Sequence, residues 1–80
     1  MPKIPPVDSI RLIKILESEG FKVIRQKGSY VVLLNDEKIR IVVPMHPGKE
    51  IKSGLLRAIL NEAGISREKF LKILKGNNKK

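Results

Sequence analysis

The spacing of apolar residues changes along the chain and predicts where each element begins and ends. Between Asp8 and Gly20 it is helical, with Asp8 or Ser9 available as the N-cap and Gly20 suited to the left-handed position that ends a helix. The apolar stripe of this helix is formed by Ile10, Leu12, Ile13, Ile15 and Leu16. These residues predict one amphipathic helix that packs on another layer.

The middle of the chain changes to the alternation that is typical of strands. We expect three strands at residues 21–26, 30–34 and 38–43, joined by turns at 27–29 and 35–37. In the third strand Ile39, Ile41 and Val43 point one way, whereas Lys38 and Arg40 point the other way. The pattern predicts an antiparallel meander with one face in water.

Helical spacing returns near Glu50 and continues to Gly64, which suits a helix end. The predicted apolar face of this helix comprises Ile51, Leu55, Leu56, Ile59, Leu60 and Ala63. Ser66 can cap a short last helix, whose apolar edge is Phe70, Leu71 and Leu74. We expect one core that includes Ile13, Leu16, Val23, Ile41, Leu55, Ile59 and Leu60.

This order of elements predicts an α+β fold, in which both long helices cover one face of a three-stranded sheet. Double-stranded-RNA-binding domains have the same order, so we expect a two-layer sandwich similar to theirs. With 80 residues the chain has room for one domain, 1–80. The lead at 1–7 and the tail at 76–80 are predicted to be flexible, because they are rich in proline or in polar residues.

The charge of the chain indicates what it binds. Lys and Arg number 17 against 8 acidic residues, which gives a net charge of +9 and a pI near 10.2. So strong a field on a small body attracts nucleic acid, an anionic membrane surface or an acidic protein. The alternative is a basic surface that serves only solubility and heat stability.

Several functional classes are excluded by composition. The sequence has no Cys, so disulfides and thiolate ligands are absent. No apolar run approaches the roughly 18 residues of a membrane span, and the N-terminus lacks a signal-peptide core, so we expect a cytosolic protein without membrane contact. The acidic residues are scattered and there is no phosphate-binding loop, so we expect no metal and no small-molecule cofactor.

One form of catalysis remains, the cleavage of RNA at its own 2′-hydroxyl, which needs a proton acceptor, a proton donor and cations. His46 can carry a proton near neutral pH, and the nearby cations are Arg25, Lys27, Lys49 and Lys52. The simpler interpretation is that His46 is a surface residue of a proline-bounded loop. Tyr30 likewise has two interpretations, an aromatic at a strand start or a side chain that stacks on an unpaired base.

At these residues the sequence resembles the HicA toxins of HicAB toxin–antitoxin systems, over about residues 8–70. The resemblance rests on several ordered motifs at matching separations. They are Glu-Gly-Phe at 19–21, Arg-Gln-Lys-Gly-Ser at 25–29, Val-Pro-Met-His at 43–46, Glu-Ile-Lys-Ser-Gly-Leu-Leu-Arg-Ala-Ile-Leu at 50–60, and Gly-Ile-Ser at 64–66.

The resemblance implies a double-stranded-RNA-binding-like fold that cleaves mRNA without a metal and is inhibited by a HicB antitoxin. In this family the Gly-Ser pair is followed by the catalytic His, a position that Tyr30 occupies here. A phenol is a poorer base than imidazole at neutral pH, which predicts impaired catalysis. The predicted RNA-binding residues are Arg25, Lys27, Gly28, Ser29, Lys49, Lys52 and Arg57. The alternatives are a non-catalytic RNA-binding module and a protein-interaction domain with an acidic partner.

Overall fold

The computed structural model describes residues 5–46 and 48–76, and their element order confirms the α+β prediction. The first helix, the three strands and the helix after them follow the order of a double-stranded-RNA-binding domain, and one further helix comes last. The elements are α1 (Ser9–Ser18), β1 (Lys22–Lys27), β2 (Tyr30–Leu34), β3 (Arg40–Pro44), α2 (Ser53–Ala63) and α3 (Arg67–Gly76). The last helix is predicted to be short, yet with 10 residues it is as long as the first.

The strands form one antiparallel sheet in the order β1-β2-β3. Lys27 pairs with Tyr30, so a two-residue turn joins β1 to β2, and φ is positive at Gly28 but not at Ser29. A two-residue hairpin with glycine at its first central position is a type II′ turn, which matches the twist of the flanking strands. The ladder of β1 and β2 is interrupted by a bulge between Val23 and Arg25.

The core lies between the helices and one face of the sheet. Val31 and Leu33 of β2 are buried there together with Ile41 and Val43 of β3. The helices contribute Leu12, Ile15, Leu16, Leu56, Ile59, Leu60 and Phe70 to the same cluster. The predicted members Leu16, Ile41, Ile59 and Leu60 are confirmed, and Ile13 is half-buried against the cluster.

Two residues of the predicted core, Val23 and Leu55, are exposed instead, so that part of the prediction is wrong. Val23 lies on the outer strand β1, where all six residues are exposed and the bulge begins. Leu55 is 42% exposed in the first turn of α2, where it points toward a surface depression while Leu56 is turned into the core. A helix buries only one stripe, and Leu55 lies at the rim of this one.

The second long helix begins at Ser53 rather than near Glu50, because the residues before it pair with the N-terminal segment. Glu50 forms an antiparallel bridge with Asp8, and the amide of Ile51 donates to the carbonyl of Val7 at 2.9 Å. Ile51 is therefore buried, as its pattern predicts, but from an extended segment. Val7 is buried opposite it, so the last residue of the predicted flexible lead packs on the core before α1 begins.

The last helix is fixed to the body of the molecule by one buried ring. Phe70 is fully buried, the hydroxyl of Ser66 accepts from the amide of Lys69 at 3.0 Å as the predicted cap, and the Lys69 ammonium lies 2.8 Å from the Glu19 carboxylate. The outer parts of the predicted flexible lead and tail, residues 1–4 and 77–80, lie outside the described residues. None of the described helices is long and apolar enough to cross a membrane.

Candidate nucleic-acid interface

Two segments that are separated in sequence meet at one end of the sheet. The carbonyl of Ser29, in the β1–β2 turn, accepts from the amide of Met45 at 2.6 Å. This bond joins the turn to the loop that follows β3, which also contains His46. Tyr30, the first residue of β2, pairs with Pro44, the last residue of β3. The fold therefore brings the Arg25–Tyr30 stretch next to the Pro44–His46 stretch.

Pro44 suits its position because β3 is an edge strand, where a residue without an amide hydrogen is tolerated. The hydroxyl of Ser9 donates to the carbonyl of Pro44 at 2.7 Å and accepts from the amide of His46 at 3.4 Å. Ser9 is buried, and it is the first residue of α1. One hydroxyl thus fixes the start of α1 to the edge of β3 and sets the path of the His46 loop.

The first surface depression lies on the sheet face that the helices leave open. It has a volume of about 320 Å³ and is lined by Arg25, Tyr30, Val32, Arg40, Val42 and Pro44. Tyr30 is 37% exposed and Val42 is 48% exposed, while Val32 forms a buried floor between them. Among the described residues, no acidic side chain lines this depression. It is an apolar surface with one aromatic ring and two guanidinium groups at its edges.

The second depression, of about 280 Å³, lies on the other side of Pro44, where the His46 loop meets the start of α2. Its lining consists of Ser9, Pro44, His46, Lys49, Glu50, Ile51, Lys52 and Leu55. Two ammonium groups, one imidazole and one carboxylate therefore lie around an apolar base. His46 and Tyr30 line different depressions, and Pro44 lines both.

The start of α2 differs from the starts of the other helices. The Asp8 carboxylate accepts from the amide of Arg11 at 2.8 Å in α1, and Ser66 caps α3. At α2 the capping position is occupied by Lys52, which makes no side-chain hydrogen bond to the helix, and the first turn has no acidic residue. The free amides and the helix dipole favour an anion here, and Lys49 and Lys52 add to that preference.

Most of the predicted RNA-binding residues lie at these two depressions or at the turn beside them. Arg57 is the exception. It lines a third depression, of about 440 Å³, together with residues at the start of α3. Sequence reasoning missed Arg40, Val42 and Ser9 as site residues. The alternation in β3 was the available signal for Arg40, since it places this residue on the water-facing side of the sheet.

The described residues contain no group of three or more His, Asp or Glu side chains that could hold a metal ion.

The fold and this basic end of the sheet define a small α+β domain of the double-stranded-RNA-binding type. The chain matches the family of the HicA toxin of bacterial toxin-antitoxin systems over residues 11–65. The match covers more than half of the chain, and the chain belongs to the HicA toxin family. Membership of this family implies a HicB antitoxin as partner. No match to a curated protein was found.

Proposed function

We propose that this chain binds mRNA at the two depressions beside Pro44 and is the toxin of a toxin–antitoxin pair, with its endoribonuclease activity lowered by Tyr30. The observation that carries the proposal is the position of Tyr30. By resemblance to the HicA family it stands where the catalytic His belongs, and it lies exposed beside Arg25 and Arg40 at the basic end of the sheet.

The reaction proposed for the family needs no group from outside the protein and the RNA. A base removes the proton of a 2′-hydroxyl, the 2′-oxygen bonds to the adjacent phosphorus, and the bond from phosphorus to the 5′-oxygen breaks as that oxygen takes up a proton. Cations stabilise the negative charge that builds on the phosphoryl oxygens. We assign this last role to Arg25 and Arg40, which line the first depression with Tyr30, and we expect Lys49 and Lys52, at the second depression, to hold a neighbouring phosphate.

Tyr30 is what lowers the expected activity. A free imidazole titrates near pH 6.5 and a free phenol near pH 10, as approximate reference values, so a phenol rarely accepts a proton at neutral pH. Binding of RNA depends on the surrounding cations and does not need the imidazole. The second candidate function, a non-catalytic RNA-binding module, is favoured by this same residue.

His46 is the other candidate proton carrier, and its position makes it a weaker one. It lines the second depression, on the far side of Pro44 from Tyr30, and its amide is bonded to Ser9. We therefore expect His46 to shape the loop and to contact the RNA backbone rather than to form a proton-transfer pair with residue 30.

The experiment that tests the proposal is restoration of the family residue by Tyr30→His. The variant, the unchanged protein and Tyr30→Phe are incubated with several mRNAs in the presence of EDTA, and the products are separated on a gel. We expect Tyr30→His to raise the rate of cleavage by about 10²–10⁴-fold, the usual contribution of one acid–base group, while Tyr30→Phe leaves it low. In the Tyr30→His background, His46→Ala should lower the rate only modestly.

Absence of cleavage by Tyr30→His, with folding and RNA binding retained, would favour the binding module. Failure to bind RNA at all would favour the third interpretation, a domain whose basic surface meets only an acidic protein.

The antitoxin provides an independent test. The most direct way to inhibit so small a protein is to cover its RNA surface, so a HicB partner is expected to lie over the β1–β2 turn and His46. The co-purified complex of toxin and antitoxin should therefore not bind RNA, and added RNA should compete with the antitoxin for the toxin. Tight binding of both at the same time would count against a shared surface.

A further inference from the structure

The sheet face that the helices leave open is organised in rows by the strand register. Arg25, Val32 and Val42 lie opposite one another across the three strands, and the next row comprises Lys27, Tyr30 and Pro44. Val32 is 2% exposed although it is not part of the core between the sheet and the helices. It is buried by its neighbours on the open face, so this face has a closely packed apolar floor of its own.

The groups around this floor match the parts of one nucleotide. Tyr30 offers a ring, the exposed Val42 offers an apolar contact beside the buried Val32, and a base can stack on an aromatic ring whatever the RNA sequence. Arg25 and Arg40 are on opposite outer strands, and these strands are roughly 10 Å apart across β2. Guanidinium groups bind phosphate with two hydrogen bonds and also stack on bases.

The charge around the depression favours a nucleic acid over a protein segment. A protein segment that docked in this depression would supply an apolar side chain and one or two carboxylates at a single place. Here the cations continue past the depression, to Lys27 on one side and over Pro44 to Lys49 and Lys52 on the other. Charges that repeat along a path suit the repeating phosphates of a strand.

The exposed ring also distinguishes single-stranded from double-stranded RNA. In a duplex the faces of the bases are stacked on one another and are not available to a side chain, whereas an unpaired base can lie on an aromatic ring. A double-stranded substrate would use the phosphates and leave Tyr30 without a partner.

We propose that the open face of the sheet is a binding site for single-stranded RNA, in which one unpaired base stacks on the Tyr30 ring and contacts Val42 while Arg25 and Arg40 hold the adjoining phosphates. This inference rests on the proposed function, because it requires that the chain binds RNA. It adds Arg40 and Val42 to the interface, and it assigns Tyr30 a role in binding that does not depend on catalysis.

The chain itself supplies a reporter for this site, since Tyr30 is its single Tyr and it contains no Trp. A single-stranded RNA oligonucleotide and the matching duplex are titrated into the unchanged protein, and the tyrosine emission is corrected with a free tyrosine derivative at equal absorbance. Stacking of a base on Tyr30 quenches the emission. We expect strong quenching by the single strand and little by the duplex.

Variants tested by fluorescence anisotropy with the labelled single strand complete the design. Tyr30→Ala should weaken binding by about 5- to 150-fold, the range for loss of one stacked base, and Tyr30→Phe should retain the affinity. Arg40→Ala should weaken binding by about tenfold or more, as expected for a charged hydrogen bond. The matched control is Lys72→Ala, an exposed cation on α3 away from the sheet.

The outcomes separate this inference from the function on which it rests. Binding of the single strand without quenching, with Arg40→Ala equal to Lys72→Ala, would overturn the open-face site and leave RNA binding intact. Equal quenching by the duplex would overturn the preference for unpaired bases. Absence of binding to any RNA, together with antitoxin binding that is lost in Arg40→Ala, would overturn both and make this face a protein-docking surface.

Discussion

The two faces of the sheet are built from the same three strands but differ in almost every chemical property. The covered face presents Val31, Leu33, Ile41 and Val43 to the helices, and all four are buried. The open face presents Tyr30 and Val42 to water, with Arg25 and Arg40 at the edges. Consecutive residues of β3 show the difference most directly, since Val43 is fully buried while Val42 is 48% exposed.

This difference teaches which residues serve stability and which are left for binding. A buried valine on the covered face is accounted for by packing alone. Tyr30 and Val42 leave 37% and 48% of their surface in water, so part of each side chain is available to a ligand. Substitutions on the two faces should therefore separate stability from RNA affinity, and the following predictions test that separation.

The largest effect on stability is expected from Leu56→Ala, with Leu55→Ala as its matched control. Leu56 is fully buried in the core, whereas its neighbour Leu55 is 42% exposed at the rim of the second depression. Removal of a buried leucine side chain costs about 2–5 kcal/mol through lost transfer energy and the cavity. For Leu55 we expect about 1 kcal/mol or less. Urea unfolding measures the free energy of unfolding of both variants. Equal losses of stability would contradict the assignment of Leu56 to the buried face of α2 and of Leu55 to its rim.

A smaller effect is expected from Ser9→Ala, which removes the hydroxyl between the Pro44 carbonyl and the His46 amide. Loss of a buried partner leaves these backbone groups unsatisfied, at about 1–3 kcal/mol. The control is Ser18→Ala, because the Ser18 hydroxyl donates to the Ile15 carbonyl of its own helix and the residue is exposed. Thermal unfolding compares the two. A Ser9→Ala variant as stable as Ser18→Ala would show that this link is not needed.

The smallest effect is expected in the salt dependence of RNA binding. Each phosphate contact to a single strand contributes a slope of about −0.7 to the dependence of log K on log salt, so replacing Arg25 and Lys27 together by Ala should flatten the slope by about 1.4. Lys14→Ala with Lys72→Ala, both exposed on helices, is the control pair. Affinity of the unchanged protein that stays constant between roughly 50 and 200 mM salt would favour an acidic protein partner instead.

The order of elements could be predicted from the sequence because glycines mark the ends of helices and the hairpin turn. Gly20 and Gly64 both adopt the left-handed conformation after a helix, and Gly28 does so in the hairpin turn, where few other residues are tolerated. Alternation in β3 likewise predicted that Ile41 and Val43 share the covered face. These are local effects, which a single segment of sequence determines.

What the sequence did not predict depends on how separate segments meet. Val23 and Leu55 follow the apolar pattern but lie beyond the reach of the opposite layer. The start of α2 is displaced because Ile51 bonds to Val7, a contact between distant residues. The juxtaposition of Arg25 and Arg40 around Val32 requires the exact register of three strands, including the bulge in β1, and a slip of one residue would send Arg25 to the other face. Site residues such as Arg40 therefore emerge only from the fold.

One pair of substitutions tests most directly the claim that the open face binds RNA while the covered face maintains the fold. Val42→Glu introduces a negative charge beside the two arginines, and Val43→Thr places a hydroxyl in the core. We measure single-strand affinity by anisotropy and the free energy of unfolding in urea for both.

Val42→Glu should weaken RNA binding by more than about tenfold while changing stability by no more than about 1 kcal/mol, the span of strand propensities. Val43→Thr should reduce stability by about 1–3 kcal/mol and leave the affinity of the folded protein unchanged. If Val42→Glu is folded and binds RNA as tightly as the unchanged protein, the open face is not the RNA surface and the account is contradicted.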